Sequence, residues 1–230
     1  MTYLMSDIHG EYEKFLDMLD EIGFDDEEDT LYILGDMIDR GDESVELLLD
    51  IADRPNVIPI MGNHEFTALY MLKELGDDMD IDSLPAEKLA AFGLWIEDGG
   101  KPTFEGMQKL SPEDRRFVMM FLEDLPLFEA VDTEDASYIL VHSGIGGFDP
   151  DKKLSEYTAE ELAFSRVDPD TPYFDDDSVY VAFGHTPTKL ITGKNEIYRS
   201  GNNICLDCGA TFGGRLGCLC LETDEEFYIE

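Results

Sequence analysis

The chain has 230 residues, 43% of them apolar, and its 53 acidic against 16 basic residues give a formal net charge of −37. This length allows one sizeable core, and so acidic a surface repels nucleic acid and anionic membranes, so neither is expected as a partner. No apolar run approaches the length of a membrane span and no signal peptide is visible, which predicts a cytoplasmic protein.

The first part of the chain alternates short apolar runs with helical patterns. The spacing predicts strands over 2–6, 30–34 and 57–61, with helices over 11–22 and from Asp42 or Ser44 to about Ala52. This β-α-β-α-β order implies parallel strands joined by right-handed crossovers.

The middle of the chain, residues 65–125, is predicted to form a mainly helical insertion within a single domain that spans 1–230. Helices are predicted to start near Phe66, to cover 86–97 and to start again at Ser111. The insertion either lies beside the mouth of a site and influences substrate choice, or only covers one face of the sheet. Trp95 within it is expected to be a core residue.

From residue 127 the pattern changes to strands. Leu127 to Val131 and Ser137 to Val141 predict a hairpin. A short helix follows at Glu160 to Ser165, and further strands are predicted at about 179–183, 189–192, 196–200, 203–207, 216–221 and 226–229. Parallel units followed by antiparallel strands indicate a mixed α/β fold.

Five of the apolar runs end in Asp, His or Asn beside a glycine. The five segments are Asp7-Ile8-His9, Gly35-Asp36-Met37-Ile38-Asp39-Arg40-Gly41, Gly62-Asn63-His64-Glu65, His142-Ser143-Gly144 and Gly184-His185. All four histidines of the chain lie in them, which is improbable by chance. Open α/β sheets place ligand sites at the carboxyl ends of strands, and carboxylate, imidazole and amide donors suit Mn²⁺, Fe or Zn²⁺. The segments therefore indicate one metal site with a guanidinium for phosphate.

This series of segments resembles the calcineurin-like metallophosphoesterases, and within them the Ser/Thr phosphoprotein phosphatases in their short bacterial and phage form. All five segments stand in the family's order between Asp7 and His185. Ser6 departs from the pattern, because the family usually has Gly before the first Asp. The resemblance implies the family's two-sheet β-sandwich flanked by helices.

The resemblance also implies two divalent transition-metal ions, with Mn²⁺ preferred over Fe or Zn²⁺. The implied ligands of one ion are Asp7, His9 and Asp36, and those of the other are Asp36, Asn63, His142 and His185. Asp36 would bridge the two ions. Metal ions about 3.5–4 Å apart can share and activate a hydroxide that attacks phosphorus.

The implied catalytic residues are His64, as the acid that protonates the leaving group, and Asp39, which would orient it. The implied phosphate-binding residues are Arg40, Arg166 and Asn63. Two alternatives remain from the residues alone: His64 as an additional ligand, and Arg166 as a helix-end arginine that interacts with the helix dipole.

The expected function is a metal-dependent phosphomonoesterase, a serine/threonine protein phosphatase that acts on a phosphorylated protein or peptide. The alternative is a diadenosine polyphosphate hydrolase, or another small-molecule phosphoesterase with the same site. Glu65 favours the protein phosphatase, because relatives that act on dinucleotides tend to have Asp there. A third hypothesis is a metal-binding interaction module without activity, which the retention of His64, Asp39 and Arg40 argues against.

The four cysteines cluster near the C-terminus as Cys205, Cys208, Cys218 and Cys220. Their spacing suggests a zinc site, but they alternate with Leu206 and Leu219 in strand-like segments, which favours thiols packed as small apolar residues. Disulfides are not expected in a reducing cytosol.

Overall fold

The computed structural model describes residues 1–76 and 79–230, and within them two five-stranded sheets face each other. The first sheet has the strand order β10-β9-β1-β2-β3, built from β1 (Thr2–Met5), β2 (Thr30–Ile33), β3 (Val57–Pro59), β9 (Leu216–Cys220) and β10 (Glu226–Ile229). Its strands β1, β2 and β3 are parallel, and β9 pairs with β1 in the antiparallel direction. The predicted parallel crossovers are therefore present.

The second sheet has the strand order β4-β5-β6-β8-β7. Its strands are β4 (Phe128–Asp132), β5 (Ser137–Val141), β6 (Val179–Phe183), β7 (Tyr198–Ser200) and β8 (Asn203–Cys205). The pair β4 and β5 is the predicted antiparallel hairpin, whereas β5, β6 and β8 are parallel. In this sheet too, parallel strands direct their carboxyl ends to one edge.

Helices fill most of the connections between strands in the described residues. They are α1 (Tyr12–Ile22), α2 (Ser44–Asp53), α3 (Asn63–Leu75), α4 (Ala86–Trp95), α5 (Lys101–Lys109), α6 (Pro112–Glu123), α7 (Ala159–Ala163) and α8 (Thr188–Thr192). Short 3₁₀ turns lie at Ile81–Ser83, Leu154–Glu156 and Ala210–Phe212, and a π-helical turn at Ile96–Gly100. None of the helices in the described part is long and apolar enough to cross a membrane.

The strand β1 shows how the layers are held together. Successive side chains of a strand point to opposite faces. Met5 joins the apolar core between the first sheet and the helices, which also contains Phe15 and Leu47. Leu4 joins the core between the two sheets, packed with Leu140 among others. The predicted two-sheet sandwich flanked by helices is confirmed.

Three details of the secondary-structure prediction were wrong. Residues 189–192 form helix α8, because a short apolar run carries no period that separates strand from helix. Helix α3 begins at Asn63, three residues before the predicted start at Phe66. The helix over 86–97 leaves α-geometry after Trp95, and α5 follows it; Gly99, with φ of 111°, marks the break between them.

Candidate metal centre

The five segments meet at one edge of the fold, where strands of both sheets end. Just beyond β1 and β2, the backbone N–H of His9 donates to the carbonyl of Asp36 over 2.9 Å. Just beyond β5 and β6, the backbone N–H of Gly184 donates to the carbonyl of His142 over 2.8 Å. The backbone N–H of His185 donates to Oδ2 of Asp7 over 3.0 Å, which joins the two sheets. Both sheets therefore contribute to one site.

Asp36 lies at the centre of this site and is buried. Its Oδ2 lies 3.4 Å from Nε2 of His142, 3.6 Å from Nε2 of His9 and 3.9 Å from Nε2 of His64. Its Oδ1 accepts the backbone N–H of His64 over 3.0 Å. The carboxylate predicted to bridge two metal ions is thus the one on which three imidazoles converge.

A second convergence involves the amide oxygen of Asn63. This Oδ1 lies 2.8 Å from Nδ1 of His185 and 3.0 Å from Nε2 of His142. The two imidazole nitrogens are 3.2 Å apart. Three potential ligand atoms therefore point at one another, as the predicted second metal position requires.

The far side of two imidazole rings is fixed by backbone carbonyls. Nδ1 of His9 donates to the carbonyl of Ile38 over 2.8 Å, and Nδ1 of His142 donates to that of Leu34 over 2.7 Å. A carbonyl only accepts, so Nδ1 carries the proton and Nε2 can offer its lone pair to a cation. In both rings Nε2 therefore faces the Asp36 carboxylate and is available to a cation.

The donors fit two metal ions that share Asp36. Two groups of side chains bring their ligand atoms within 4.8 Å of one another: His9, Asp36 and His64, and Asp36, His142 and His185. Oxygen and imidazole donors of this kind suit divalent transition metals. Asp7 belongs to neither group but is buried beside them, where its Oδ2 also accepts the hydroxyl of Ser6 over 2.5 Å.

The electrostatics of the centre favour positive charge. Burial raises the pKa of Asp7 to about 6. Burial opposes the charge on His142, but the Asp36 and Asp7 carboxylates outweigh it and raise its pKa to about 10. Burial, aided by the neighbouring His142, lowers the pKa of His185 to about 3. Buried carboxylates that raise the pKa of a neighbouring imidazole would equally favour a divalent cation.

The predicted acid and its partner are in contact. Nδ1 of His64 lies 2.8 Å from Oδ2 of Asp39, and both side chains are buried. Burial opposes the charge on His64, but the Asp36 and Asp39 carboxylates outweigh it and raise its pKa. Asp39 itself accepts hydrogen bonds from the Trp95 indole over 2.9 Å and from the Thr103 hydroxyl over 2.5 Å.

Trp95 and Thr103 show that the helical segment after α3 forms one wall of the site. Trp95 is buried as expected, but its hydrogen bond gives it a role that sequence reasoning missed. In the π-helical turn, the carbonyl of Gly99 accepts the backbone N–H of Arg40 over 2.8 Å. The Asp98 carboxylate lies 3.8 Å from both His64 Nε2 and Arg40 Nη2. The insertion therefore contributes residues beside the site, and its influence on substrate choice stays a prediction.

The two candidate phosphate-binding arginines lie at different ends of the centre. Arg40 contacts Nε2 of His9 through Nη1, and its Nη2 lies 2.8 Å from Nε2 of His64. Arg166 is exposed and donates to the Thr186 hydroxyl over 3.0 Å, next to His185. Arg166 is therefore held at the site by Thr186.

Glu65 has a structural role that its use as a family marker did not reveal. Its carboxylate is fully buried and accepts four backbone N–H groups, those of Asp36, Met37, Ile38 and Gly62. It thus ties the end of β2 to the start of α3. Gly62 allows this close approach, because a Cβ there would collide with Asp36 and Glu65.

Asp207 is a buried carboxylate of the centre that sequence reasoning also missed. Burial and the neighbouring Asp7 raise its pKa well above the usual range, and its Oδ1 accepts the backbone N–H of Gly209 over 2.9 Å. The signal was present, because Ile204 to Leu206 is another apolar run that ends in Asp near a glycine.

Two other groups are not among the candidate ligands. The four cysteines are free and buried, and neither group of potential metal ligands in the described residues contains a thiol. Burial raises the pKa of Cys205 and of Cys208 to about 12, as expected for packed thiols. Arg199 pairs with Asp224 and Glu226, outside the centre.

Many residues of the centre have a left-handed backbone. Positive φ angles occur at Asp7 (54°), His9 (49°), Asp36 (52°), Asp39 (68°), Arg40 (73°) and His185 (65°). Such angles are uncommon outside glycine and cluster at functional sites. Four of these residues, Asp7, His9, Asp36 and Asp39, are also buried.

Comparison with curated proteins finds symmetrical bis(5'-nucleosyl)-tetraphosphatases. The one from Haemophilus ducreyi is 30% identical over 145 residues, 63% of this chain and 45% of that protein. The one from Buchnera aphidicola is 39% identical over 80 residues, 34% of this chain and 28% of that protein. The chain thus matches less than half the length of these relatives.

Solved structures show the same fold at low identity. A chain provisionally described as a diadenosine tetraphosphatase has a TM-score of 0.69 and 18% identity, and the match covers 99% of this chain and 92% of that one. A serine/threonine protein phosphatase from Saccharomyces cerevisiae has a TM-score of 0.54 and 16% identity, with coverages of 100% and 80%. The sequence model of the calcineurin-like phosphoesterase family matches residues 2–203. The chain therefore belongs to the calcineurin-like phosphoesterase family.

Proposed function

We propose that the protein is a dinuclear metal-dependent phosphoesterase that hydrolyses dinucleoside polyphosphates, with diadenosine tetraphosphate as the test substrate. The observation that carries the chemistry is the convergence of three imidazoles on the Asp36 carboxylate, with an arginine at each end of the centre. The names of the curated relatives support the substrate class.

The proposed ligands are those named from the resemblance: Asp7, His9, Asp36, Asn63, His142 and His185. Two divalent ions held there would supply the nucleophile and neutralise the phosphoryl oxygens. Arg40 and Arg166 bind phosphate oxygens, Asn63 adds a contact, and His64 donates a proton to the leaving oxygen. Asp39 holds the His64 ring in position.

The placement of the arginines suits a polyphosphate chain. Arg40 lies beside His9 and His64, whereas Arg166 lies beside Thr186, on the His185 side. A substrate with several phosphates in a row can engage both guanidiniums together with the metal ions. A single phosphomonoester offers only one phosphoryl group, so the second arginine would contribute less.

The test is a comparison of three substrates on Mn²⁺-reconstituted protein: diadenosine tetraphosphate, a phosphoserine peptide and p-nitrophenyl phosphate. We expect the highest kcat/KM on diadenosine tetraphosphate, with two molecules of ADP as products of central cleavage. ATP and AMP as products would contradict central cleavage. A higher kcat/KM on the phosphopeptide would replace the proposed substrate class by phosphoproteins.

One observation favours the protein phosphatase as a second candidate. A cavity of about 330 Å³ beside Arg40 is lined by the carboxylates Glu11, Glu13, Asp42 and Glu43. Such a cavity would attract a basic side chain next to a phosphoserine. Under this hypothesis peptides with basic flanks have the higher kcat/KM, and the advantage narrows as salt rises. Equal rates for basic and acidic peptides at low salt would exclude it.

A further inference from the structure

Two cavities border the candidate centre, one at each arginine, and they differ in chemistry. The Arg40 cavity is the acidic one described above. The Arg166 cavity has a volume of about 460 Å³ and is lined by Ile145, Gly146, Phe148, Arg166, Thr171 and Tyr173 among others. Small-ligand sites in proteins have volumes of about 300–1,000 Å³, so the Arg166 cavity is large enough for one.

Two stretches of chain connect the Arg166 cavity to the candidate metal centre. Its wall at Ile145 begins three residues after His142. Its other wall contains Arg166, whose guanidinium donates to the Thr186 hydroxyl next to His185. A ligand in this cavity can therefore place a phosphate against Arg166 and extend the next phosphates toward the centre.

The far wall of the cavity is aromatic and held in place. The rings of Phe148 and Tyr173 are 5.2 Å apart at an interplanar angle of 74°. The Tyr173 hydroxyl accepts the backbone N–H of Ile145 over 2.9 Å, which fixes the ring to the loop that forms the other wall. Aromatic rings of this kind offer a face or an edge to a planar base, whichever base it is.

Charge decides between the two cavities. Four carboxylates line the Arg40 cavity, so a nucleoside that carries several phosphates would be repelled there. The Arg166 cavity contains the guanidinium and a single carboxylate, that of Asp168, which can accept hydrogen bonds from ribose hydroxyls. The protein surface is anionic and repels an anionic substrate. A contact that does not depend on charge, such as one to an aromatic ring, therefore matters more for the affinity of that substrate.

We infer that the Arg166 cavity binds one nucleoside of a dinucleoside polyphosphate, with its base against Phe148 and Tyr173 and its first phosphate on Arg166. This inference rests on the proposed function and adds a subsite to it. It assigns Phe148 and Tyr173 a part in substrate affinity that is independent of the metal ions.

Two substitutions test the subsite. Phe148→Leu removes the aromatic ring but keeps an apolar side chain, and Thr171→Trp fills the cavity from an exposed position. Phe117→Leu is the matched control, because Phe117 is 49% exposed on α6 and does not line the cavity. The measurements are KM for diadenosine tetraphosphate and the inhibition constant of inorganic tripolyphosphate, which has the phosphates without a nucleoside.

In both cavity variants we expect KM for diadenosine tetraphosphate to rise relative to the wild-type protein. The factor should be about ten times the factor by which the inhibition constant of tripolyphosphate rises, as loss of one base contact predicts. The control should leave both constants unchanged. If the wild-type protein cleaves diadenosine tetraphosphate but KM is unchanged in both cavity variants, the subsite alone would be overturned. A wild-type protein that cleaves p-nitrophenyl phosphate but not diadenosine tetraphosphate would overturn the proposed function and the subsite together.

Discussion

The indole nitrogen of Trp95 donates a hydrogen bond over 2.9 Å to Oδ2 of Asp39, the oxygen that also faces Nδ1 of His64 at 2.8 Å. The other carboxylate oxygen of Asp39 accepts the Thr103 hydroxyl. Both donors come from the helical segment, although it carries none of the five sequence motifs. The proposed acid is therefore positioned by residues that are not adjacent to it in sequence.

The first prediction concerns these donors. Trp95→Phe and Thr103→Val should each lower kcat on a phosphoserine peptide about tenfold, because a hydrogen bond to a charged group contributes about 1.5–3 kcal/mol. Thr103→Ser, which keeps the hydroxyl, should restore most of the rate. The measurement is kcat for each variant, with thermal unfolding followed by circular dichroism. Equal losses in Thr103→Ser and Thr103→Val would show that Thr103 acts through packing alone.

His64 should act as an acid and not as a ligand. His64→Asn should lower kcat by roughly 10²–10⁴ on a phosphoserine peptide, the usual contribution of a positioned acid, because the serine alkoxide needs a proton. The loss should be much smaller on p-nitrophenyl phosphate, whose leaving group is stable without one. Metal content is determined in parallel. Loss of a metal ion from His64→Asn, or equal losses on both substrates, would contradict this role.

The pH dependence of activity should report the protonation of His64. The pKa of His64 is raised, so its charged form persists above the ordinary histidine value of 6.5 and is lost as pH rises through the raised value. Activity on a phosphoserine peptide should therefore fall on the basic side. Asp39→Asn removes one carboxylate that raises this pKa, so the fall should move to lower pH. A basic limb at the same pH in both proteins would refute the assignment.

Metal content should reach two ions per chain. Asp36→Asn should lose more activity than Asn63→Ala, because Asp36 would contact both ions whereas Asn63 would contact one. Elemental analysis after Mn²⁺ saturation and gel filtration measures the stoichiometry, and chelation should abolish phosphoesterase activity. A content that stays at one ion under saturating Mn²⁺ would eliminate the shared-carboxylate arrangement.

Glu65 should be needed for stability as well as for activity. Glu65→Gln replaces one acceptor oxygen by an NH₂ group, which leaves buried N–H donors of the Asp36 loop unsatisfied. The expected cost is about 2–3 kcal/mol of unfolding free energy, measured by urea denaturation. Glu105→Gln, an exposed position on α5, is the control and should change little. Similar stabilities for the two variants would show that the four hydrogen bonds contribute little.

The sequence predicted which strand ends meet at the site, because its signal is local. Each apolar run that ends in Asp, His or Asn beside glycine indicates the end of a strand, and parallel strands bring such ends together. Asp7, Asp36 and His142 could therefore be assigned to one site from the sequence alone. The same rule applies to Asp207, which was overlooked because it is not part of the family motifs.

The contacts of Trp95 could not be inferred in this way. Trp95 and Asp39 are 56 positions apart, and no pattern in the sequence places the indole beside the carboxylate. A buried tryptophan has the same sequence pattern whether its N–H contacts water, a carbonyl or a catalytic carboxylate. The substrate class could also not be predicted from Glu65 alone, because its carboxylate accepts backbone hydrogen bonds and does not face a substrate.

The left-handed residues of the centre have a consequence for local unfolding. A non-glycine residue in this conformation costs about 1–3 kcal/mol, so the loops after β1, β2 and β6 are held by their neighbours against their own backbone preference. Metal ions that bind Asp7, His9, Asp36 and His185 would strengthen that hold. Amide hydrogens of these loops should therefore exchange faster with solvent after chelation, while those in the cores of the sheets keep their protection.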